Sequence, residues 1–581
     1  DITDVKQTLK YESEQPNSLY DPNGSFQSIN RRYDIVYGDV MLNFNYNINR
    51  FDIAATVGWT GRYENMNNMR VSTNGGLVTE NWFDLNASRY TPSSTLQRME
   101  LLKTGYMGTL SLGWDNYLFL ELTGRQERSS TLKDQSFFYP SANLSFLFTQ
   151  AFHMPSWWNY GKLRLSYGIV GNAPETYTAN IVYEQGSDNG FTWNTIPSSW
   201  GNADIRPEKK YEYEIGLESK FLNNRLGIDI SYYNNRVKDQ ILSTPQPSTS
   251  GVKNVLMNVG EVANRGWDIS ISATPILTRD FRWDLTANYG VYKNKVVKLA
   301  DGVPYLEILN SGGSGIKIQA VEGQPMGDIY AQVPQVNENG EYLVSDKGLY
   351  LNQTELQKVG NINPAGVGGL FNSFSYKNVF LDFSIDFRIG GDVINEMNQY
   401  ATAVGLTPES LKYRDTEHGG LSYYYPGDNN SSGIPVQVDP STGAGPNGEI
   451  IYHDGIILPG VVASTGERNT RIIPAGYYYN TTYNWGTEAE QLTYRHSVFD
   501  NSYVKLRELT IGYQFPEKMI SKLGLGRLSV SVFGRNLFYF YKALKNYDAE
   551  SSVGTSWANQ ATVGSSTTAT RSFGVSLRAS F

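Results

Sequence analysis

Arg571-Ser572-Phe573-Gly574-Val575-Ser576-Leu577-Arg578-Ala579-Ser580-Phe581 holds two interleaved sets of residues that differ in kind. Phe573, Val575, Leu577, Ala579 and Phe581 form one set; Ser572, Gly574, Ser576, Arg578 and Ser580 form the other. A β-strand turns successive side chains to opposite faces, so this strand has one apolar face and one polar face. In a soluble sandwich the apolar face points at a core. In an outer-membrane barrel it meets lipid, and the polar face meets a wet lumen. One strand does not decide between the two.

The alternation recurs along the chain. Val36, Gly38, Val40, Leu42, Phe44, Tyr46 and Ile48 share a face opposite Asp39, Asn43, Asn45 and Asn47. After Asn49-Arg50 come Phe51, Ile53, Ala55, Val57, Trp59, Gly61 and Tyr63, opposed by Asp52, Thr56, Thr60 and Arg62. The cleanest case sets Val379, Leu381, Phe383, Ile385, Phe387 and Ile389 against a face carrying Asp382, Asp386 and Arg388. Near Leu506 to Glu508 the phase changes, which predicts a β-bulge or a strand start. About fifteen such segments are present, each near the ~9–11 residues that cross a bilayer obliquely.

Connections alternate between short and long. Short ones fall at Asn49-Arg50, Asp115-Asn116, Leu222-Asn223-Asn224-Arg225, Leu277-Thr278-Arg279-Asp280 and Lys377-Asn378, with medium ones at 150–160 and 516–526. Long ones are expected at 65–103, 172–208, 241–261, 300–366, 391–500 and 541–570; 131–136 is a short member of that class. This is the pattern of an all-β, transmembrane, antiparallel up-and-down barrel with tight periplasmic turns and long outer loops. Strand parity places residues 1–32 in an outer loop. About fifteen strands form an odd set, whereas single-chain bacterial barrels close with even numbers. The expectation is that an odd number of strands lies upstream, with residues 1–581 the C-terminal part of a larger barrel.

Composition agrees. The chain has 41 Tyr, 25 Phe and 11 Trp in 581 residues and no Cys, which excludes a disulfide framework and Cys-ligated zinc. A net charge of −8 argues against a nucleic-acid partner. No apolar run is long enough for a transmembrane helix. The first residues, Asp-Ile-Thr-Asp, carry neither an initiator Met nor a signal peptide, which suggests a processed chain, a cleaved one or a fragment.

Several motifs bring a family into view. They are Pro140-Ser141-Ala142-Asn143-Leu144-Ser145-Phe146, Gly161-Lys162-Leu163-Arg164-Leu165-Ser166-Tyr167-Gly168 with Val170-Gly171-Asn172, and Phe221-Leu222-Asn223-Asn224-Arg225-Leu226-Gly227. Asn258-Val259-Gly260-Glu261, Asn264-Arg265-Gly266 and Gly323-Gln324-Pro325-Met326-Gly327 follow. Tyr503-Val504-Lys505-Leu506-Arg507-Glu508-Leu509, Gly534-Arg535-Asn536-Leu537 and the final Phe581 complete the set. In number and order the chain resembles the SusC/RagA-like TonB-dependent transporters. That resemblance implies an outer-membrane barrel of about 22 strands in a Gram-negative bacterium of the Bacteroidetes. It also implies an N-terminal plug, a TonB box and a SusD-like lipoprotein lid. The cargo would be nutrient oligomers, glycan or peptide, and pairs of the two proteins could associate further. The plug, the TonB box and about seven strands have no counterpart in these residues, so TonB would act through a part not present here. Phe573, Val575, Leu577 and Phe581 would serve as the barrel-assembly signal.

No reading points to an enzyme. His153, His418, His453 and His496 show no metal-ligand spacing, and they are expected as solvated loop or interface residues. Gly312-Gly313-Ser314-Gly315 is a degraded hydrolase-like motif in a loop, without the strand-turn-helix setting that such a motif requires. Asp428-Asn429-Asn430-Ser431-Ser432-Gly433 offers oxygens to Ca²⁺ but lacks an EF-hand register, so a turn is favoured and no cofactor is expected. Loop aromatics are the better lead: Trp193, Trp200, Tyr423, Tyr424, Tyr425, Tyr477 and Tyr478 are candidates for contact with a sugar or peptide. Their competing role is packing of the loops. Trp59, Tyr63, Trp114, Tyr117, Trp157, Trp158, Tyr513 and Phe515 fit membrane-interface girdles. A structural barrel component without import activity and a siderophore-type receptor are the alternatives.

Overall fold

The computed structural model describes residues 2–13, 23–80, 82–133, 136–188, 190–247, 249, 251–311, 315–427, 433–484, 493–551, 556–563 and 570–580. Two compact units divide the chain. The first comprises Asp1–Ser219, Ser231–Ala263 and Lys298–Val303; the second comprises Lys220–Ile230, Asn264–Val297 and Pro304–Phe581.

In the first unit, β1 (Ile2–Ser13), β2 (Ser25–Ile48), β3 (Phe51–Leu77), β4 (Ser88–Trp114), β5 (Leu118–Ser129), β6 (Ser136–Phe146) and β7 (Trp158–Asn172) pair successively and antiparallel. Strands β8 (Glu208–Phe221), β9 (Leu226–Lys238) and β10 (Glu261–Leu277) follow in the chain. In the second unit, β11 (Phe281–Lys298), β12 (Gly366–Tyr376), β13 (Val379–Ile389), β14 (Tyr503–Gln514), β15 (Arg527–Lys542) and β16 (Ser572–Ser580) form another antiparallel run. Every strand expected from the alternation is present.

Register locks the apolar faces together. Leu381 faces Ile511, Ile511 faces Val532, and Val532 faces Val575, giving one greasy row across four strands. In the first unit Leu42 faces Val57, Phe51 faces Trp114, and Trp114 faces Leu118. A one-residue slip would turn each of these sets to the other face. The rows are uncovered by protein: Val40 is 71% exposed and Val575 is also 71% exposed. Aromatic rings flank them near the short turns. Phe51, Trp114, Tyr117, Phe146 and Phe152 make a chain of ring contacts with centroids 5.4–6.5 Å apart. Trp157 stacks on Trp158, and Tyr513 meets Phe515 edge-on.

The turns take the backbone shape that a tight hairpin demands. Asn49, Asp115, Asn116, Asn223 and Asn224 all have positive φ, which Asn and Asp tolerate best among residues with a Cβ. Two expectations need correction. Residues 1–32 are not simply a loop, because Ile2–Ser13 and the start of β2 pair as strands; with Ile2–Ser13 the sheet has sixteen strands, so the odd parity expected from the sequence does not hold. Residues 65–103 are mostly strand as well, with only 78–87 between β3 and β4. Ladder hydrogen bonds continue there without alternation, since a segment clear of hydrocarbon needs no apolar face. The bulge is real: the β14 register slips between Leu506 and Glu508 against β15, and opposite Ser384 and Ile385 of β13.

Candidate functional site

The buried cores lie in the long connections. In the second unit, Ile316 and Ile318 of the strand Ile316–Val321 pack with Ile329, Ile394, Tyr494, Val498, Ala558 and Ala561. Gly315, the last residue of the hydrolase-like motif, lies under the Tyr494 ring, where a Cβ would collide. That glycine is used for packing; Gly312, Gly313 and Ser314 lie outside the described residues. A second cluster joins Leu349, Ile456, Leu458 and Ile473. In the first unit Leu132, Phe137, Ala179 and Ile205 form a core beneath Ile241 and Leu256.

These cores decide the aromatic candidates. Tyr423 is 1% exposed and Tyr425 is 5% exposed; both pack with Ile472 and Tyr452. The Tyr423 hydroxyl donates to Asp454 Oδ1 at 3.1 Å. Burial, with the Asp454 charge beside it, raises the Tyr423 pKa. In this structure both rings are buried in the loop body, where the sequence reading expected Tyr423 and Tyr425 to be open to a ligand. Tyr424, next to the strand partners Gln437 and Val436, is part-exposed. Tyr478 and Tyr479 belong to the helix Ala475–Tyr483 and meet each other at 5.1 Å between centroids. Tyr478 also packs on the cluster around Leu349, and burial raises its pKa. Tyr477 points outward from the same helix. In the first unit Trp193 is exposed on the hairpin Glu184–Asp188 and Phe191–Thr195, its indole lying against Gly186. Trp200 meets Tyr183 edge-on at 5.8 Å and is part-exposed. Trp193, Trp200, Tyr424 and Tyr477 therefore remain at least partly accessible.

A surface that sequence reading missed lies on α1 (Glu396–Ala403). Its buried residues are Asn398, Gln399, Thr402 and Ala403, three of them polar. Met397, Tyr400 and the C-cap residue Val404 are exposed, followed by Leu406 at 78% and Leu411. A water-facing helix does the opposite. The signal was available: apolar residues at i, i+3 and i+7 behind the Asn395 N-cap, whose side chain accepts from the Asn398 amide. In the first unit the segment from Tyr177 to Ile196 likewise exposes Ile181, Val182, Tyr183 and Phe191.

The polar face of the wall is satisfied locally. Arg125 and the Tyr139 hydroxyl both reach Glu127 at 2.8 Å. Ser373 donates to Asp382 at 2.6 Å, and Arg507 pairs with Asp386 at 2.6 Å. Arg388 donates to the carbonyls of Ile362 and Gly390. Among the described residues no group of three or more His, Asp or Glu could hold a metal. His418 pairs with Asp415, His453 Nδ1 meets Ser422 Oγ at 2.8 Å, and His496 stacks on Tyr483 at 4.4 Å. Burial, with Arg495 adjacent, holds His496 down at about 4. The oxygen-rich loop 428–432 lies outside the described residues, as does Phe581.

A family model described as "TonB dependent receptor-like, beta-barrel" matches residues 2–537. TonB-dependent receptor P3 of Formosa agariphila is 24% identical over 494 residues, which cover 77% of this chain and 42% of that protein. TonB-dependent receptor SusC of Bacteroides thetaiotaomicron is 30% identical over 247 residues, covering 39% of this chain and 24% of that one. The structure of the RagAB peptide transporter aligns with a TM-score of 0.68 at 18% identity, over 94% of this chain and 56% of that chain. At that identity the likeness speaks for the fold alone. The chain spans about half the length of this solved relative and less than half of the two curated ones. Alternating wall strands, exposed greasy rows, aromatic girdles and the family match lead to one conclusion: the chain belongs to the TonB-dependent receptor β-barrels of the Gram-negative outer membrane, a family of transporters rather than enzymes.

Proposed function

We propose that this chain is the barrel portion of a SusC/RagA-like, TonB-dependent importer of nutrient oligomers, working with a SusD-like surface lipoprotein. Energy enters through TonB, acting on a plug and TonB box that precede these residues in the whole protein. The observation that carries the reading is a folded outer-loop body whose helix α1 turns Asn398, Gln399 and Thr402 inward and Met397 and Tyr400 outward, with Leu406 and Leu411 exposed just after it. Exposed apolar patches of this kind mark protein contact sites. The lipoprotein lid docks there, and pairs of the two proteins can associate further. Trp193, Trp200, Tyr424 and Tyr477 are the aromatic surfaces left for cargo. Peptide, the class named for RagAB, and glycan are both candidate cargoes. Phe573, Val575 and Leu577, with Phe581, act as the assembly signal.

Pull-down of the lipoprotein tests the docking. Met397→Asp combined with Leu406→Asp should remove most of the recovery while the barrel still assembles, and deletion of 391–500 should remove all of it. Undiminished recovery with both changes refutes the docking surface.

A further inference from the structure

Arg507 is the extra residue of the β14 bulge. Against β13, Ser384 faces Glu508 and Ile385 faces Leu506, so Arg507 has no partner in that ladder. A bulge re-aims its side chain. Here the guanidinium reaches three elements at once: Nε to Asp386 at 2.6 Å, Nη1 to Asn536 at 3.1 Å, and Nη1 to Glu550 at 2.8 Å. Lys505, also on β14 and buried, pairs with the same Glu550 carboxylate. Two cations meet two carboxylates, so the cluster is neutral and offers no excess charge to an incoming ion. Burial works to raise Glu550, and the bonds from Arg507 and Lys505 outweigh it, holding its carboxyl at about 2.

The residues before Glu550 are held as firmly. Ala549 O accepts from Asn501 Nδ2 at 2.9 Å, and Asp548 Oδ1 accepts from the Tyr539 hydroxyl at 2.6 Å. Tyr547 O accepts from Lys542 Nζ at 2.7 Å. Four consecutive residues are thus gripped by side chains on or beside β14 and β15. The segment then leads to α1. Asn546 Nδ2 donates to Asn398 Oδ1 at 3.0 Å and to Glu409 Oε2 at 3.3 Å, and Leu544 is buried with Val393 and Val563. On its inner face α1 carries Gln399, fully buried, with neither amide atom hydrogen-bonded to protein. A seat with unmet polar groups holds a helix poorly on its own account.

We infer that residues 544–550 are a strap that ties α1 to the wall through the Arg507 bulge, a second tether beside the ladder of Asp392–Ile394 on Val498–Asp500 that leads into the helix, so that the apolar stripe loosens when Glu550 is released. The strap stands on these contacts alone; its consequence for a docked partner rests on the function proposed above. Arg507 and Lys505 act here as positioning residues.

Hydrogen exchange on the full-length protein in detergent, without partner, tests it. Glu550→Gln should speed exchange about tenfold in both 544–550 and 396–403, while 379–389 stays protected. Adding Arg507→Gln should contribute little more, since both changes cut one link. Asn546→Ala, at the other end, should loosen 396–403 and leave 547–550 protected. Glu550 and Asn546 lie outside the membrane-crossing strands, so these two variants carry the test if Arg507→Gln fails to assemble. Faster exchange confined to 547–551 in Glu550→Gln, or an unchanged α1 in Asn546→Ala, overturns the strap. Failure of the stripe variants to lose lipoprotein would sink the docking reading and leave this exchange result standing.

Discussion

Val40 on the wall and Ile318 in the loops are both β-branched and both in strands, yet one is 71% exposed and the other is fully buried. The contrast holds across the molecule. Wall strands present their apolar side chains outward and bury almost none of them, while the connections carry the packed clusters. Two solvents explain it. Hydrocarbon asks nothing of the wall but an unbroken greasy face and paired backbone groups. Water asks the loops for an interior, and they build one from residues distant in the chain.

The contrast can be broken by making similar changes in both regions. The largest effect is expected for Ile318→Ala, which opens a cavity in the loop body and should cost about 2–5 kcal/mol; limited proteolysis of 305–361 reads it, with heat-modifiable mobility unchanged. Val575→Arg on the wall should come next, costing about 2–4 kcal/mol near the bilayer centre and appearing as loss of the heat-modifiable barrel. Acid sharpens the comparison further. His496 has its folded pKa lowered from 6.5 to about 4, so the folded loop body disfavours the proton. Its stabilising contribution is complete above 6.5 and falls away as pH drops towards about 4. Protease sensitivity of the loops should rise in that window with the wall intact, and His496→Gln should flatten the response. The smallest effect is expected for Leu577→Ala. It leaves no internal cavity and should change stability by under about 1 kcal/mol, within the scatter of refolding assays.

The same physics sets what was legible beforehand. Lipid imposes a period of two on every crossing, so Val379 to Ile389 and the final strand could be read residue by residue. It imposes none on Asn65-Met66-Asn67-Asn68, where each face carries Asn and the strand continues by backbone pairing. The loop cores were opaque for another reason: Ile316 packs with Tyr494 and Ala558, and no local pattern announces contacts of that span. Part of the aromatic puzzle was readable after all. Extended chain around Leu421–Tyr424 puts Tyr423 and Tyr425 on one side and Tyr424 on the other, and the structure buries only the pair. Met397, Tyr400 and Val404 carried a helical spacing inside a stretch expected as loop, and it was their outward direction that no sequence rule supplied.

β3 and β4 each run 27 residues, although a crossing uses only about 9–11. More than half of each strand therefore stands clear of the bilayer as a stiff ribbon, joined to its neighbours by main-chain bonds that are indifferent to side-chain identity. Substitutions along that ribbon that keep its main-chain ladder leave the membrane-crossing part of the wall, and with it the permeability barrier, untouched.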